Sequence, residues 1–284
     1  MIPIRVIRRR IRSIQSTAKI TRAMEMIAAS KMRQAQLRVL AARPYAEKMH
    51  EVVAHLAAQA QPGEELHPLL QRREVKRVAV VHIAADRGLC GGLNANVNRM
   101  TTNFVLEKSV PVALITVGRR GRDFMSRYGQ DILAEFTQLG DRPSLLDTLP
   151  ISRLLIDDYI NETVDQVYLA YTRFITTVNQ QPVLQELLPI EPAKMERIEN
   201  LEYIYEPSAP SVLEHLLPRY VEMQVYHAIL ESIASEQSAR MVAMRNATDS
   251  ANEMIEELTL IYNKERQELI TKELLDIAGG VTQQ

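Results

Sequence analysis

Cysteine and tryptophan are almost absent from this sequence: Cys90 is the single cysteine among 284 residues, and there is no tryptophan. One cysteine cannot form an internal disulfide or a multi-cysteine metal site, which fits a reducing compartment. Aromatic residues make up only 5% of the chain, although 46% is hydrophobic. The apolar content is therefore mostly alanine and aliphatic side chains, a mixture that favours long helices over a bulky compact core.

Long apolar runs and a strong net charge are also lacking. No run approaches the roughly 20 residues that a membrane-spanning helix needs, so we expect no direct membrane span. The net charge of -1 gives no overall preference for nucleic acid or lipid, but residues 1–24 carry seven basic side chains and no acid. Such a start is typical of organellar transit peptides, yet a helical pattern begins within it, and we interpret it as mature structure. No recognition motif accompanies these charges, so we expect no nucleic-acid partner.

The N-terminal segment lacks helix breakers. Between Ile4 and Pro62 there is no glycine, and Pro44 is the only proline. Alternate steps of four and three residues from Ile7 meet thirteen apolar residues in fifteen positions. The positions are Ile7, Ile11, Ile14, Ala18, Thr21, Glu25, Ala28, Met32, Ala35, Val39, Ala42, Ala46, Met49, Val53 and Leu56. A 3.5-residue repeat of this length predicts a coiled-coil helix over residues 1–60, bent or irregular at Pro44.

The C-terminal segment repeats the pattern. After Pro218 there is no further proline, and the next glycine is Gly279. Steps of three and four from Leu213 meet twelve apolar residues in fifteen positions, with His227, Gln237 and Thr248 as the polar exceptions. We interpret these three as hydrogen-bonded or register-setting seam residues. The pattern predicts a coiled-coil helix over 211–284 that pairs with the first one as an antiparallel coiled coil within one chain, while a homodimeric coil remains the alternative.

The middle segment, 75–190, changes period. Five apolar runs indicate strands, and three stretches between them indicate helices. The strands are RVAVVHIA, PVALITVG, DILAEFTQL, DQVYLAYTRFIT and PVLQELLPI, and the helices cover 94–107, 119–128 and 145–161. Strands that alternate with helices predict a Rossmann-like α/β domain with a mainly parallel sheet of about five strands. Residues 191–210, which contain three prolines, are expected to form the linker to the second long helix.

The stretch HIAADRGLCGGLNANVN places a glycine turn between the first strand and a helix, as many nucleotide sites do. The turn has neither the GxxxxGK[ST] nor the GxGxxG spacing. A ligand site is therefore less favoured than tight packing of strand against helix, or contact with a partner. The residues concerned are Asp86, Arg87, Gly88, Gly91 and Gly92.

Other candidate chemistry is weak. The basic turn GRRGRD, which starts at Gly118, could hold a phosphate but more often is simply solvated. Asp157 and Asp158 diverge on a helix, so they do not make a metal cage, and Cys90 reads as a packed residue. The chain carries no HExxH, CxxC or serine nucleophile elbow. We therefore expect no catalytic residues, no metal and no cofactor.

Three stretches together resemble the gamma-subunit family of the F-type ATP synthases. They are RRRIRSIQSTAKITRAMEMIAASKMRQAQ (Arg8 to Gln36), DRGLCGGLNAN (Asp86 to Asn96) and SEQSARMVAMRNATDSANEMIEELTLIYNKERQELITKELLDIAGG (Ser235 to Gly280). Their order and spacing match that family from end to end. The cysteine pair of the redox-regulated chloroplast members is absent, so no thiol switch is expected.

The resemblance implies a non-catalytic rotor shaft. In that family the terminal helices turn inside a ring of three alpha and three beta subunits, whose beta subunits hold the catalytic sites. The α/β domain sits with the epsilon subunit on the proton-driven c ring. The matching motif positions imply contacts with alpha and beta at Met24, Arg240, Gln267, Thr271 and Glu273. The implied location is peripheral, on the cytoplasmic face of a bacterial membrane.

Two alternatives stay open at this point. One is a coiled-coil scaffold that presents an α/β ligand-binding domain without rotation. The other is an α/β enzyme that oligomerises through its helices. Neither the coupling ion, the working direction nor the regulation by epsilon follows from these residues.

Overall fold

The structure is a computed structural model and describes residues 3–58, 67–190 and 209–281. Two long helices flank an alternation of strands and shorter helices. In chain order the elements are α1 (Ile4–Ala58), β1 (Val78–Ile83), α2 (Leu93–Glu107), β2 (Val112–Val117), α3 (Arg119–Arg127), β3 (Ile132–Phe136), α4 (Leu145–Ile160), β4 (Gln166–Phe174), β5 (Gln180–Leu188) and α5 (Ala209–Val281). The predicted linker falls almost entirely on residues 191–208, which lie outside the described residues.

The chain divides into two compact units. One contains the chain up to Ala28 together with the chain from Arg240 onward, and the other runs from Ala29 to Ala239. The first unit is therefore made of the outer parts of α1 and α5. The second contains the sheet, the shorter helices and the remaining parts of both long helices.

Burial along α1 follows the predicted repeat. Every position of α1 that is described as buried belongs to the predicted seam, because one side of the helix is covered; the side chains of the seam positions Ala42, Ala46 and Leu56 lie outside the described ones. These positions are Ile7, Ala18, Thr21, Glu25, Ala28, Ala35, Val39, Met49 and Val53. The helix continues through Pro44.

Helix α5 begins before the stretch that lacks helix breakers. It starts at Ala209 and contains Pro218, although an internal proline removes one backbone hydrogen bond. The neighbouring Leu217 and Val221 are completely buried in the main core. Burial of this face offsets the lost hydrogen bond, so tertiary packing overrides the local preference. Within the described residues, no helix is both long and apolar enough to cross a bilayer.

The outer parts of α1 and α5 run antiparallel in the first unit. The Arg8 guanidinium donates to the Tyr262 hydroxyl at 2.9 Å, and the hydroxyls of Thr21 and Thr248 lie 2.7 Å apart. Positions that come later in α1 thus meet positions that come earlier in α5. The predicted antiparallel coiled coil within one chain is confirmed.

Glu25 is the one charged residue of the predicted α1 seam, and it is only 6% exposed. One of its carboxylate oxygens accepts from the Nε of Arg245 at 3.0 Å, and the other accepts from Arg22 at 2.9 Å. A buried carboxylate is tolerated when its charge is paired and its oxygens are hydrogen-bonded. Together with the two threonines, Glu25 forms a polar layer within the otherwise apolar seam.

The five strands form one sheet in the order β3-β2-β1-β4-β5. Strand β1 pairs in parallel with β2 and β4, β2 pairs in parallel with β3, and β5 is antiparallel to β4. The mainly parallel sheet is therefore confirmed. Residues of α2 and α3 pack on one face, and residues of α4 and α5 pack on the other. Strands β1 and β2 are consequently buried at every position.

His82 is a fully buried polar residue in β1. Its Nδ1 lies 2.9 Å from the Thr101 hydroxyl, and its Nε2 lies 2.9 Å from the side-chain amide of Asn98. Because the Asn98 atom at this distance is the carbonyl oxygen Oδ1, which only accepts, Nε2–H is the donor of the neutral ring and Nδ1 accepts from the Thr101 hydroxyl. Burial lowers the pKa of His82 to about 4, and the Asn98 hydrogen bond opposes this shift only in part. A Cβ on Gly121 would lie 2.7 Å from the ring, so no larger residue fits there.

We predict that His82 makes the protein less stable in acid. Its pKa is lower in the folded state than the ordinary value of about 6.5, so the unfolded chain takes up this proton first. The free energy of unfolding should be unaffected by His82 above about pH 6.5 and should fall as the pH drops towards 4, by on the order of 3 kcal/mol. Urea unfolding as a function of pH measures this. The His82→Gln variant should lose that part of the pH dependence, and an unchanged profile in the variant would contradict the assignment.

Candidate functional site

The glycine turn lies where the carboxyl ends of β1, β2 and β3 meet. This edge of a parallel sheet is where α/β proteins commonly bind ligands. A cavity of about 330 Å³ opens there, and α5 contributes one of its walls. Its lining includes Asp86, Val117, Gly118, Phe136, Ile233 and Glu236.

Asp86 ties together the segments that follow all three strands. Its Oδ1 accepts from the backbone N–H of Arg119 at 3.0 Å, and its Oδ2 accepts from the backbone N–H of Gln138 at 3.0 Å. Arg119 is the first residue of α3, and the N-terminus of a helix is an anion-binding position. The chain's own carboxylate occupies this position, where an α/β nucleotide protein could hold a phosphate. The geometry thus supports packing rather than nucleotide binding.

Gly118 permits the close approach of the first two strand ends. Its φ of +97° lies in the region that favours glycine, and a Cβ would stand 2.0 Å from the carbonyl oxygen of Ala84. The Ala84 N–H also donates to the Val117 carbonyl at 2.8 Å. The GRRGRD stretch is therefore the start of α3 and a packing point of the sheet edge, rather than a free solvated turn.

The other residues of the turn have local roles. Gly91 adopts a φ of +58°, Gly92 immediately precedes α2, and the guanidinium of Arg120 lies against Gly88. The side chain of Arg87 is exposed. Turn geometry thus accounts for Gly91, while the exposed Arg87 is available for contact with a partner.

Cys90 is buried in a small cluster with Ala85 and Leu93, and Ala239 of α5 packs against it. Its sulfur accepts from the side-chain amide of Asn94 at 3.2 Å. These contacts support the interpretation of Cys90 as a packed residue.

Asp157 and Asp158 lie near the end of α4. Asp157 is exposed and Asp158 is half-buried. Burial raises the pKa of Asp158, the charge of Arg77 lowers it, and Asp157 raises it further. Across the described parts of the chain, no three potential ligands from His, Cys, Asp and Glu converge on one point.

The five residues implied as contacts with alpha and beta all belong to the unit formed by the helix ends. Met24 on α1 and Arg240 on α5 are half-buried, and Gln267, Thr271 and Glu273 are exposed on α5. The structure places them on a different unit from the glycine turn.

Sequence reasoning missed a set of polar contacts between α5 and the β4–β5 hairpin. The carboxylate of Glu231 accepts from the backbone N–H of Phe174 at 2.8 Å, and Ser235 donates to the Thr172 carbonyl at 3.0 Å. The contacts span about sixty residues of sequence, so no local pattern predicts them. The only available signal was the presence of small polar residues beside the apolar α5 seam.

The fold defines a coiled-coil protein with an inserted α/β domain, in which the inner parts of both long helices pack into the apolar core of the domain. A family model described as ATP synthase matches residues 3–282. The ATP synthase gamma chain of Dehalococcoides mccartyi is 64% identical over 280 residues, which cover 99% of this chain and 98% of the relative. The chain belongs to the ATP synthase gamma-chain family and, as a member, is a non-catalytic subunit.

Two solved structures share this fold. A chain from the central stalk and c-ring of the Tetrahymena thermophila mitochondrial ATP synthase aligns with a TM-score of 0.62 and 26% identity, covering 80% of this chain and 99% of that one. A chain from the Euglena gracilis mitochondrial ATP synthase aligns with a TM-score of 0.69 and 20% identity, covering 98% and 93%. The second likeness concerns the fold alone.

We predict that Asp86 stabilises the sheet edge. Asp86→Ala removes the acceptor of two exposed backbone N–H groups, one of them at the start of α3, and this should lower the free energy of unfolding by about 1 kcal/mol. Asp86→Asn keeps one acceptor oxygen and should cost less. Urea unfolding of the three proteins gives the comparison. The neighbouring exposed residue supplies the control: Arg87→Ala should change stability by no more than about 0.5 kcal/mol, and equal losses in all variants would refute the role of Asp86.

Proposed function

We propose that this chain is the central rotor shaft that transmits torque between a proton-driven c ring and a catalytic ring of alpha and beta subunits. Membership of the gamma-chain family and the structural likeness to a central-stalk chain support this proposal. Proton flow turns the c ring, and the shaft turns with it. Its unequal faces then drive the beta subunits in sequence through states of different nucleotide affinity.

The observation that carries the proposal is the exposed apolar surface at the outer end of α5. Beyond Tyr262 the helix continues to Val281, and leucine and isoleucine side chains there are largely exposed. They are Leu269, Ile270, Leu274 and Leu275, with exposures of 47%, 44%, 61% and 66%. A cluster of exposed apolar side chains marks an interaction surface. The interior of the alpha/beta ring is the partner that we assign to it.

The contacts between the shaft and the alpha/beta ring, which we call the bearing, follow from the same assignment. Gln267, Thr271 and Glu273 share this exposed part of α5, so we assign them to alpha and beta. Met24 and Arg240 are assigned to the same ring further along the shaft. The acid-free start of α1 suits an acidic loop of beta, since complementary charge guides contact without binding tightly at one angle.

The α/β domain provides the other end of the shaft. We assign it to the c ring and the epsilon subunit, with the exposed side of the glycine turn, around Arg87, available to a partner. The subunit is a peripheral component of the enzyme. Its location is the cytoplasmic face of a bacterial cell membrane.

Reconstitution tests the rotor directly. Mixed with matched alpha and beta subunits, the chain should form a stable assembly with one copy per three pairs. A bead on the α/β domain should rotate in steps of a third of a turn during ATP hydrolysis. A chain that remains alone, or forms only its own dimers, would favour the non-rotary scaffold instead.

Charge reversal at Arg240 tests the bearing. In membranes that carry Arg240→Glu, we expect proton-driven ATP synthesis to fall several-fold, because the substitution places a negative charge at a contact with the ring. The matched control is Arg153→Glu, a reversal at an exposed position on α4, which should leave synthesis unchanged. Equal synthesis rates in both variants would contradict the assignment of Arg240 as a contact with the alpha/beta ring.

A further inference from the structure

The loop between β3 and α4 touches both long helices through one carboxylate. Asp141 Oδ2 accepts from Lys31 Nζ on α1 at 2.6 Å, and Asp141 Oδ1 accepts from Gln237 Nε2 on α5 at 2.9 Å. All three residues lie in the unit that contains the sheet. A single side chain of the α/β domain therefore joins the two helices of the shaft to each other and to the sheet.

The residues next to Asp141 reinforce this arrangement. The guanidinium of Arg142 donates to the side-chain amide oxygen of Gln34 on α1. The hydroxyl of Tyr226 on α5 donates to the Pro143 carbonyl at 3.4 Å. Three consecutive loop residues thus contact α1 and α5 in turn.

The hydrogen bonds of Asp141 resist rotation and sliding of the domain, which apolar packing alone resists less. The hydrophobic effect is non-directional, so a smooth apolar interface resists separation better than it resists rotation or sliding. An aspartate side chain is short, and its two oxygens lie at hydrogen-bond distance from side chains on two helices. Rotation of the domain about the helices must therefore stretch these bonds or move the side chains of Lys31 and Gln237.

The two bonds of Asp141 differ in how much they contribute to stability. Lys31 and Asp141 have side chains 37% and 42% exposed, and an ion pair in that setting contributes little to stability. Gln237, in contrast, is only 2% exposed, so its amide needs the bond with Asp141. The bond to Lys31 thus combines a small stabilising effect with a defined geometry, whereas the bond to Gln237 also satisfies a buried amide.

We propose that Asp141 is the joint that fixes the α/β domain in rotation to both helices of the shaft, so that torque applied to the domain enters α1 and α5 together. The joint rests on the proposed rotor function. Lys31 and Gln237 are its two arms. Loss of either arm should let the domain turn over a wider range relative to the helix that it no longer holds.

The test uses the assembled enzyme, with the alpha/beta ring fixed to a surface and a bead on the α/β domain. With rotation stalled between catalytic steps, the spread of bead angles reports how firmly the domain is held. Asp141→Ala should widen this spread, and Lys31→Met, which removes one arm, should widen it less. The unfolding midpoint of Lys31→Met should stay close to that of the wild type, whereas Asp141→Ala should lower it, because the buried Gln237 amide loses its acceptor.

Asp131→Ala is the matched control. Asp131 is an exposed aspartate of the same domain, and its ion pair is with Arg77 rather than with a long helix. This variant should keep the wild-type spread of angles. Equal spreads for Asp141→Ala, Asp131→Ala and the wild type would overturn the joint while rotation itself stands, whereas a wild-type assembly that does not rotate would overturn both proposals. If Asp141→Ala fails to assemble, a Lys31→Met spread equal to that of the wild type overturns the joint, and a wider one supports it.

Discussion

The pairing of α1 with α5 is the interaction on which the remaining structure depends. Each helix presents an apolar seam that must be covered, and in the outer unit the two seams cover each other. The polar layer sets their register. If the helices slipped along each other, the carboxylate of Glu25 would remain buried without Arg245, and Thr21 would lose Thr248. After such a slip Glu25 would keep Arg22 on its own helix, but one oxygen of the buried carboxylate would lose its partner. Because a buried carboxylate is tolerated only when its oxygens are satisfied, this layer disfavours other registers.

The α/β domain keeps the architecture of a nucleotide-binding fold but uses its ligand edge differently. The position at the start of α3 that could attract a phosphate holds Asp86, and α5 forms a wall of the adjoining cavity. One face of the sheet packs against α5 in the main core. The crevice that serves ligand binding in related folds thus holds one of the chain's own carboxylates and is bordered by α5, which agrees with a subunit that carries force rather than substrate.

Polar contacts at defined points complement this apolar packing. Glu231 and Ser235 bind backbone groups of the β4–β5 hairpin, and Gln237, a few residues further along α5, binds Asp141. Successive turns of one helix therefore hold different parts of the sheet domain. Buried polar groups that are fully satisfied specify one geometry more strictly than apolar surfaces do. A single defined geometry between helix and domain suits a shaft that must turn together with its domain.

Sequence alone determined the elements of this protein and its family. The 3.5-residue repeat identified every buried position described on α1, and the alternation of strands and helices predicted the five-stranded, mainly parallel sheet. These features are local, because periodicity and glycine or proline content act over a few residues. Three motifs of 29, 11 and 46 residues carried the resemblance to the gamma-chain family.

Tertiary structure alone decided which polar residues meet. Asp141 contacts residues 110 and 96 positions away, and Asp86 caps a helix that begins 33 residues later. Glu25 stood out in sequence only as a charge within an apolar seam, and its partner Arg245 emerged once the two helices were placed in register. The start of α5 ahead of Pro218 was likewise settled by burial of its face in the core. Contacts between distant segments depend on how whole elements pack, and no local pattern encodes that packing.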